Sequence, residues 1–129
     1  MEDSIINIII ADSNKDYCSI FNEYLSLQND IIVSGIANSG VETLKLIEEK
    51  KPQLVIIDIS ITNSLGLEVL ESLNTIKLNK KPSKIALSSY GQNKIVQKSI
   101  SLGVIYFIEK PFDIEVLLKK IREIKSLIK

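Results

Sequence analysis

The chain has 129 residues, 45% of them hydrophobic, which is enough for one domain with a core of its own and without disulfides or a structural metal. Its 16 basic residues balance 16 acidic ones, so no global field draws it to nucleic acid or an anionic membrane, and direct DNA binding by this chain is not expected. A single cysteine, Cys18, excludes an internal disulfide and a multi-cysteine zinc site, and the absence of histidine removes the commonest general base and any role as a phosphohistidine donor.

In chain order, the first apolar run is Ile5 to Ala11. It is interrupted by Asn7, too short to span a bilayer and preceded by acidic residues, so it is read as a strand and not a signal peptide; with the lone cysteine, this makes the cytoplasm the expected location. Tyr17, Ile20, Phe21, Tyr24 and Leu25 then follow helical spacing. A second strand is expected at Ile31 to Ala37, then a helix carrying Val41, Leu44 and Ile47. A third strand, Leu54 to Asp58, precedes a helix with Leu67, Leu70 and Leu73. A fourth, Lys84 to Ser88, precedes a helix with Ile95, Val96 and Ile100. The last strand is Val104 to Glu109, and Ile114, Leu117, Leu118, Ile121, Ile124 and Ile128 form the last amphipathic face.

Five alternations of short branched runs with helices imply a parallel sheet, right-handed crossovers and helices on both faces, a doubly wound α/β fold spanning 1–129. Lys51-Pro52, Lys81-Pro82 and Lys110-Pro111 fall beside strands, while Gly40, Gly91 and Gly103 fall near helix ends. In such folds the functional crevice lies at the carboxyl ends of the strands.

Those ends carry Asp12, Asp58, Ser88 and Lys110. Any one alone is more often a cap or a solvated loop residue. Together they suit a phosphoryl group: Asp58 as nucleophile, Asp12 helping to hold a divalent cation, Ser88 and Lys110 binding phosphoryl oxygens.

The segments Ile8-Ile9-Ile10-Ala11-Asp12, Leu54-Val55-Ile56-Ile57-Asp58, Ala86-Leu87-Ser88-Ser89 and Phe107-Ile108-Glu109-Lys110-Pro111-Phe112 resemble those of the receiver domains of two-component response regulators, and the likeness spans nearly the whole chain. Within that family, Ser89-Tyr90-Gly91-Gln92 and Tyr106 to Asp113 look most like the receivers of sporulation transcription regulators from spore-forming bacteria. The resemblance implies a flavodoxin-like (βα)5 receiver fold with strand order 2-1-3-4-5. It implies Asp58 as phosphoacceptor, magnesium or another divalent cation held by Asp12, Asp58 and the Ser60 carbonyl, and Lys110 paired with the phosphoryl group across a cis Lys110-Pro111 bond. Ser88 and Phe107 match the family's switch pair, a hydroxyl drawn toward the phosphoryl group and a ring that moves inward behind it; read by itself, Phe107 is equally an ordinary strand residue. The implied partners are a histidine kinase or phosphotransfer protein, a second copy bound through the fourth and fifth helices, and DNA only through an effector domain absent from these residues. The chain is expected to be a signalling module and not an enzyme.

Two departures bear on the site. Receivers carry adjacent acidic residues after the first strand, and here the pair is Asp12-Ser13, so one metal-ligand charge is missing and cation binding is expected to be weak. Ser13, with Asp16 three residues on, is expected to cap the first helix. The loop Ile59-Ser60-Ile61-Thr62-Asn63-Ser64-Leu65-Gly66 keeps the glycine, expected to serve the turn into the third helix, but lacks the family's methionine-proline pair and the acidic residue before the glycine; Thr62 in place of proline is expected to loosen it. A degenerate receiver that binds proteins independently of phosphorylation is therefore the alternative function. A flavin-binding electron carrier of similar topology is a third, disfavoured by the acidic loop from Asp12 to Asp16 where a flavin phosphate would sit.

Overall fold

In the computed structural model, which describes residues 4–59, 65–76, 80–89 and 93–128, strands and helices alternate five times. They are β1 (Ile6–Ala11), α1 (Lys15–Ser26), β2 (Ile31–Ala37), α2 (Gly40–Lys50), β3 (Leu54–Asp58), α3 (Leu65–Thr75), β4 (Ser83–Ser89), α4 (Asn93–Ser101), β5 (Tyr106–Lys110) and α5 (Ile114–Leu127). The sheet is parallel throughout with order β2-β1-β3-β4-β5, as expected.

Side chains alternate across a strand, and the sheet separates two cores on that rule. Ile6, Ile8 and Ile10 of β1, Leu54 and Ile56 of β3, Ile85 and Leu87 of β4 and Ile108 of β5 pack against Phe21 and Leu25 of α1 and against Leu117, Ile121 and Ile124 of α5. Ile9, Ala11, Val55, Ile57 and Ala86 face the other way, toward Ile47 of α2 and Val69, Leu70 and Leu73 of α3. Every residue of β3 is buried, which is why that strand reads as an unbroken apolar run instead of alternating.

Three boundaries differ from expectation. β1 starts at Ile6, because Ile5 is exposed. β4 is longer by a residue at each end. β5 starts only at Tyr106: the Val104 N–H donates to the Ser99 carbonyl of α4, so Val104 is buried as part of the helix exit. Gly103 makes that exit in a left-handed conformation with φ 98°, which glycine adopts without strain. The β1–β2 register slips between Ile8 and Ile9, where Ser34 is passed over in the pairing, and Asn7, the interruption in the first run, accepts from the Ser34 hydroxyl at 3.4 Å.

At the far end of the sheet from the strand carboxyl ends, Arg122 of α5 grips Asp30 through two bonds of 3.0 Å, and Lys125 adds a third at 2.9 Å. These cations hold the Asp30 carboxyl well below its ordinary range. The clamp fixes α5 to the start of β2 and leaves the opposite end of the sheet to the candidate site. Among the described residues no helix is long and apolar enough to cross a membrane.

Candidate phosphoacceptor site

The parity that sorts the cores also sorts the polar residues. Asp12 follows Ile8 and Ile10 in even steps, Asp58 follows Leu54 and Ile56, and Lys110 follows Tyr106 and Ile108, so all three continue the α1–α5 side of the sheet. Ser88 falls two residues after Ala86, which pairs with Phe107, so Ser88 and Phe107 share the opposite side. Ser88, expected both to bind phosphoryl oxygens beside Lys110 and to switch with Phe107, thus stands on the other face from Asp12, Asp58 and Lys110.

Lys110 Nζ lies 2.8 Å from Asp12 Oδ2 and 3.3 Å from Asp58 Oδ2. It arises from the edge strand and reaches over β4 to carboxylates on β1 and β3, a span that needs its long stem. Asp12 is fully buried and Asp58 is 4% exposed, while the Lys110 side chain keeps 11%. The peptide bond Lys110-Pro111 is cis, as the resemblance implied.

One ammonium serves two carboxylates. Burial pushes the Asp12 carboxyl above its ordinary value, and the Asp58 charge adds to this, against the lowering effect of Lys110 and of the Asn14 N–H. Burial opposes charge on Lys110 too, but two anionic partners outweigh it and the ammonium is held above its usual range. Among the described residues this buried cluster sets two carboxylates beside one ammonium, and its hard carboxylate oxygens suit a divalent cation. The third expected ligand, the Ser60 carbonyl, and Thr62 lie outside the described residues, as do Tyr90, Gly91 and Gln92.

Backbone contacts fix both carboxylates. The Asp12 N–H donates to the Ala37 carbonyl at 3.0 Å, and the Asp12 carbonyl accepts from the Asn38 amide at 2.8 Å. Cys18 also approaches that carbonyl, its Sγ 3.4 Å away, and burial pushes its thiol up so that it stays protonated. Beyond Asp58, the Ile59 N–H donates to the Leu87 carbonyl at 2.8 Å, extending the β3–β4 pairing past the carboxylate.

Ser13 does not cap α1. Asn14 does: its Oδ1 accepts from the Asp16 N–H at 2.9 Å and the Tyr17 N–H at 3.2 Å. The register is set by Asp12, whose Oδ1 accepts from the Asn14 N–H at 2.9 Å in an Asx turn and so starts the helix one residue later. Ser13 is exposed beside the site.

Gly66 has a different use from the one expected. It lies within α3, and a β-carbon there would collide with the Asp58 carbonyl oxygen and come within 2.6 Å of Ile59 Cγ2. The glycine lets α3 lie directly on the backbone that presents Asp58.

Ser88 is buried at the end of β4, and Phe107 is 49% exposed on the outer side of β5. Two residues with contacts at the site were missed as such. Asn38 carries no recognisable signal in the sequence. Tyr17, noted only for helical spacing, stands in the first turn of a helix that starts at the strand end, and its ring lies under Lys110 at 4.0 Å.

The family model for the response regulator receiver domain matches residues 8–122. Among solved structures, a DNA-binding response regulator of the LuxR family from Staphylococcus aureus superposes with a TM-score of 0.82 at 26% identity, covering 93% of this chain and 98% of that one. A CheY-like response regulator receiver domain protein from Methanospirillum hungatei JF-1 gives 0.79 at 25%, covering 95% and 96%. The signal receiver domain of a response regulator from Bermanella marisrubri gives 0.80 at 23%, covering 92% and 96%, a likeness of fold.

Proposed function

The chain belongs to the response regulator receiver domain family, and from that premise we propose that it accepts a phosphoryl group on Asp58 and thereby switches a partner-binding surface. The observation that carries this reading is the Asp12–Lys110–Asp58 cluster, buried at the carboxyl edge of the sheet. An Asp58 carboxylate oxygen attacks phosphorus, the O–P bond forms as the P–N bond of a phosphohistidine breaks, and the freed imidazole takes a proton from solvent. The histidine belongs to a kinase or phosphotransfer protein, since this chain has none. Lys110 receives the transferred oxygens. Asp12, Asp58 and the Ser60 carbonyl would hold magnesium, which supplies positive charge for the transferring group. The chain is on this reading an acceptor and not an enzyme.

Ser88 and Phe107 are proposed as the switch, with Ser88 buried and Phe107 half-exposed on β5. The exposed apolar residues Ile100, Ile105 and Phe107 of the α4–β5 side and Val116 of α5 support a partner surface there, a second copy included. The output we assign is transcription regulation of the sporulation type, through a separate DNA-binding domain, supported by the segments Tyr106 to Asp113 and Ser89 to Gln92.

The second reading is a phosphorylation-independent docking module, favoured by the uncharged, exposed Ser13. Incubation with acetyl phosphate and magnesium, read by intact mass with Asp58→Asn as control, separates the two. A gain of one phosphoryl group that Asp58→Asn abolishes supports the switch; no gain at high magnesium leaves the docking module.

A further inference from the structure

We propose that Tyr17 is a positioning residue for Lys110, its ring face holding the ammonium at the Asp12–Asp58 carboxylate pair; the inference rests on the phosphoacceptor reading above. Lys110 Nζ stands 4.0 Å from the centre of the Tyr17 ring. At that distance the negative face of an aromatic ring attracts a cation. The ammonium has three N–H groups and, on its other sides, Asp12 Oδ2 at 2.8 Å and Asp58 Oδ2 at 3.3 Å, so the ring supplies its third neighbour.

The choice of a ring has a chemical consequence. A third carboxylate at this place would add buried negative charge and would compete with phosphoryl oxygens for the ammonium. An aromatic face attracts the cation and adds no net charge and no competing oxygen on that side. It also limits a flexible four-carbon stem, whose rotamer freedom would otherwise let the head group leave the partly open mouth of the site for solvent.

Tyr17 is itself held from two directions. Its N–H donates to the Asn14 cap at 3.2 Å, and the Asn14 N–H donates at 2.9 Å to the Asp12 oxygen that Lys110 does not use. The contacts therefore close a circuit from Asp12 through Asn14 and Tyr17 to Lys110 and back to Asp12. From the side, Tyr17 packs on Phe21 with centroids 5.4 Å apart, and Phe21 stacks at 5.7 Å on Phe112, two residues beyond Lys110. The ladder joins α1 to the segment that carries the lysine, so ring and ammonium are fixed to each other from both chain ends of the contact. Holding the ammonium where the phosphoryl oxygens arrive raises the rate of uptake.

The test compares wild type, Tyr17→Phe and Tyr17→Leu by two readouts: the NMR shift of the Lys110 Hε protons, and the initial rate of mass gain from acetyl phosphate and magnesium. The expected result is an upfield ring-current shift in wild type and Tyr17→Phe that Tyr17→Leu loses. Uptake is expected to be kept in Tyr17→Phe and slowed about two- to thirtyfold in Tyr17→Leu, the span of cation–π contacts from exposed to desolvated. A Lys110 shift unchanged in Tyr17→Leu, uptake unchanged in Tyr17→Leu, or equal slowing in Tyr17→Phe would overturn the proposal. If wild type takes up no phosphoryl group, the phosphoacceptor reading fails and the Hε shift alone decides the positioning role. Tyr17→Met replaces Tyr17→Leu if the latter loses amide dispersion.

Discussion

Lys110 Nζ and Asp12 Oδ2 meet at 2.8 Å across 98 residues of sequence. The same ammonium lies 3.3 Å from Asp58 Oδ2, so one cation bridges two carboxylates from different strands.

Asp12→Asn is expected to raise the stability of the protein at neutral pH by on the order of 1 kcal/mol, an ordinary single-substitution effect but in the unusual direction. The folded-state value of Asp12 lies above its unfolded value of 3.8, so the ionised form costs the fold. That cost is complete above the folded value and vanishes as pH falls below 3.8, where both states are protonated. Urea denaturation of both proteins should show a gap at neutral pH that closes in acid. A destabilised Asn variant at neutral pH would mean that the Lys110 pairing outweighs burial.

Gly66→Ala should destabilise by about 2 kcal/mol, within the usual range for overpacking. Its β-carbon meets backbone at Asp58 and Ile59, which cannot yield as a flexible side chain would. Because the displaced carbonyl belongs to Asp58, phosphoryl uptake should fall as well. Denaturation midpoint and mass gain together check this, and a variant equal to wild type in both would show that α3 moves aside freely.

Ser13→Asp should restore a carboxylate beside Asp12 and raise magnesium affinity at least about tenfold, on the scale of lost ligand-shell contacts. Ser13 is exposed at the strand end and does not cap α1, so the substitution removes no helix cap. Magnesium titration followed by tyrosine fluorescence reads the change; equal affinity in the two proteins would locate the weakness elsewhere, in the loop after Asp58.

Phe107→Trp gives a chain with a single tryptophan, because the natural sequence has none. Phe107 is 49% exposed, so the new indole should emit as a solvated ring and shift to the blue when acetyl phosphate and magnesium are added. No shift in a protein whose mass shows phosphorylation would make position 107 an ordinary surface residue of β5.

The sequence by itself determined the five alternations, the two-faced sheet and the parity of the strand ends. Local pattern suffices for these, since a period of two in strands and helical spacing between them are written residue by residue, and Ile8-Ile10-Asp12 and Leu54-Ile56-Asp58 carry the same step from core to carboxylate. The phosphoryl-binding roles expected of Asp12, Asp58, Ser88 and Lys110 follow from their places at the strand ends, while strand order and the switch roles of Ser88 and Phe107 come from family likeness. Only the tertiary structure decided what depends on neighbours distant in sequence or on backbone geometry. Asn14 takes the cap from Ser13 because the Asp12 side chain starts a turn before the helix, and propensity alone does not distinguish adjacent serine and asparagine. Gly66 is required by the carbonyl of Asp58, eight positions earlier, and not by its own φ. The meeting of Tyr17 with Lys110 exists because α1 packs on the face of the sheet that Lys110 of β5 shares, a juxtaposition that no spacing along the chain encodes.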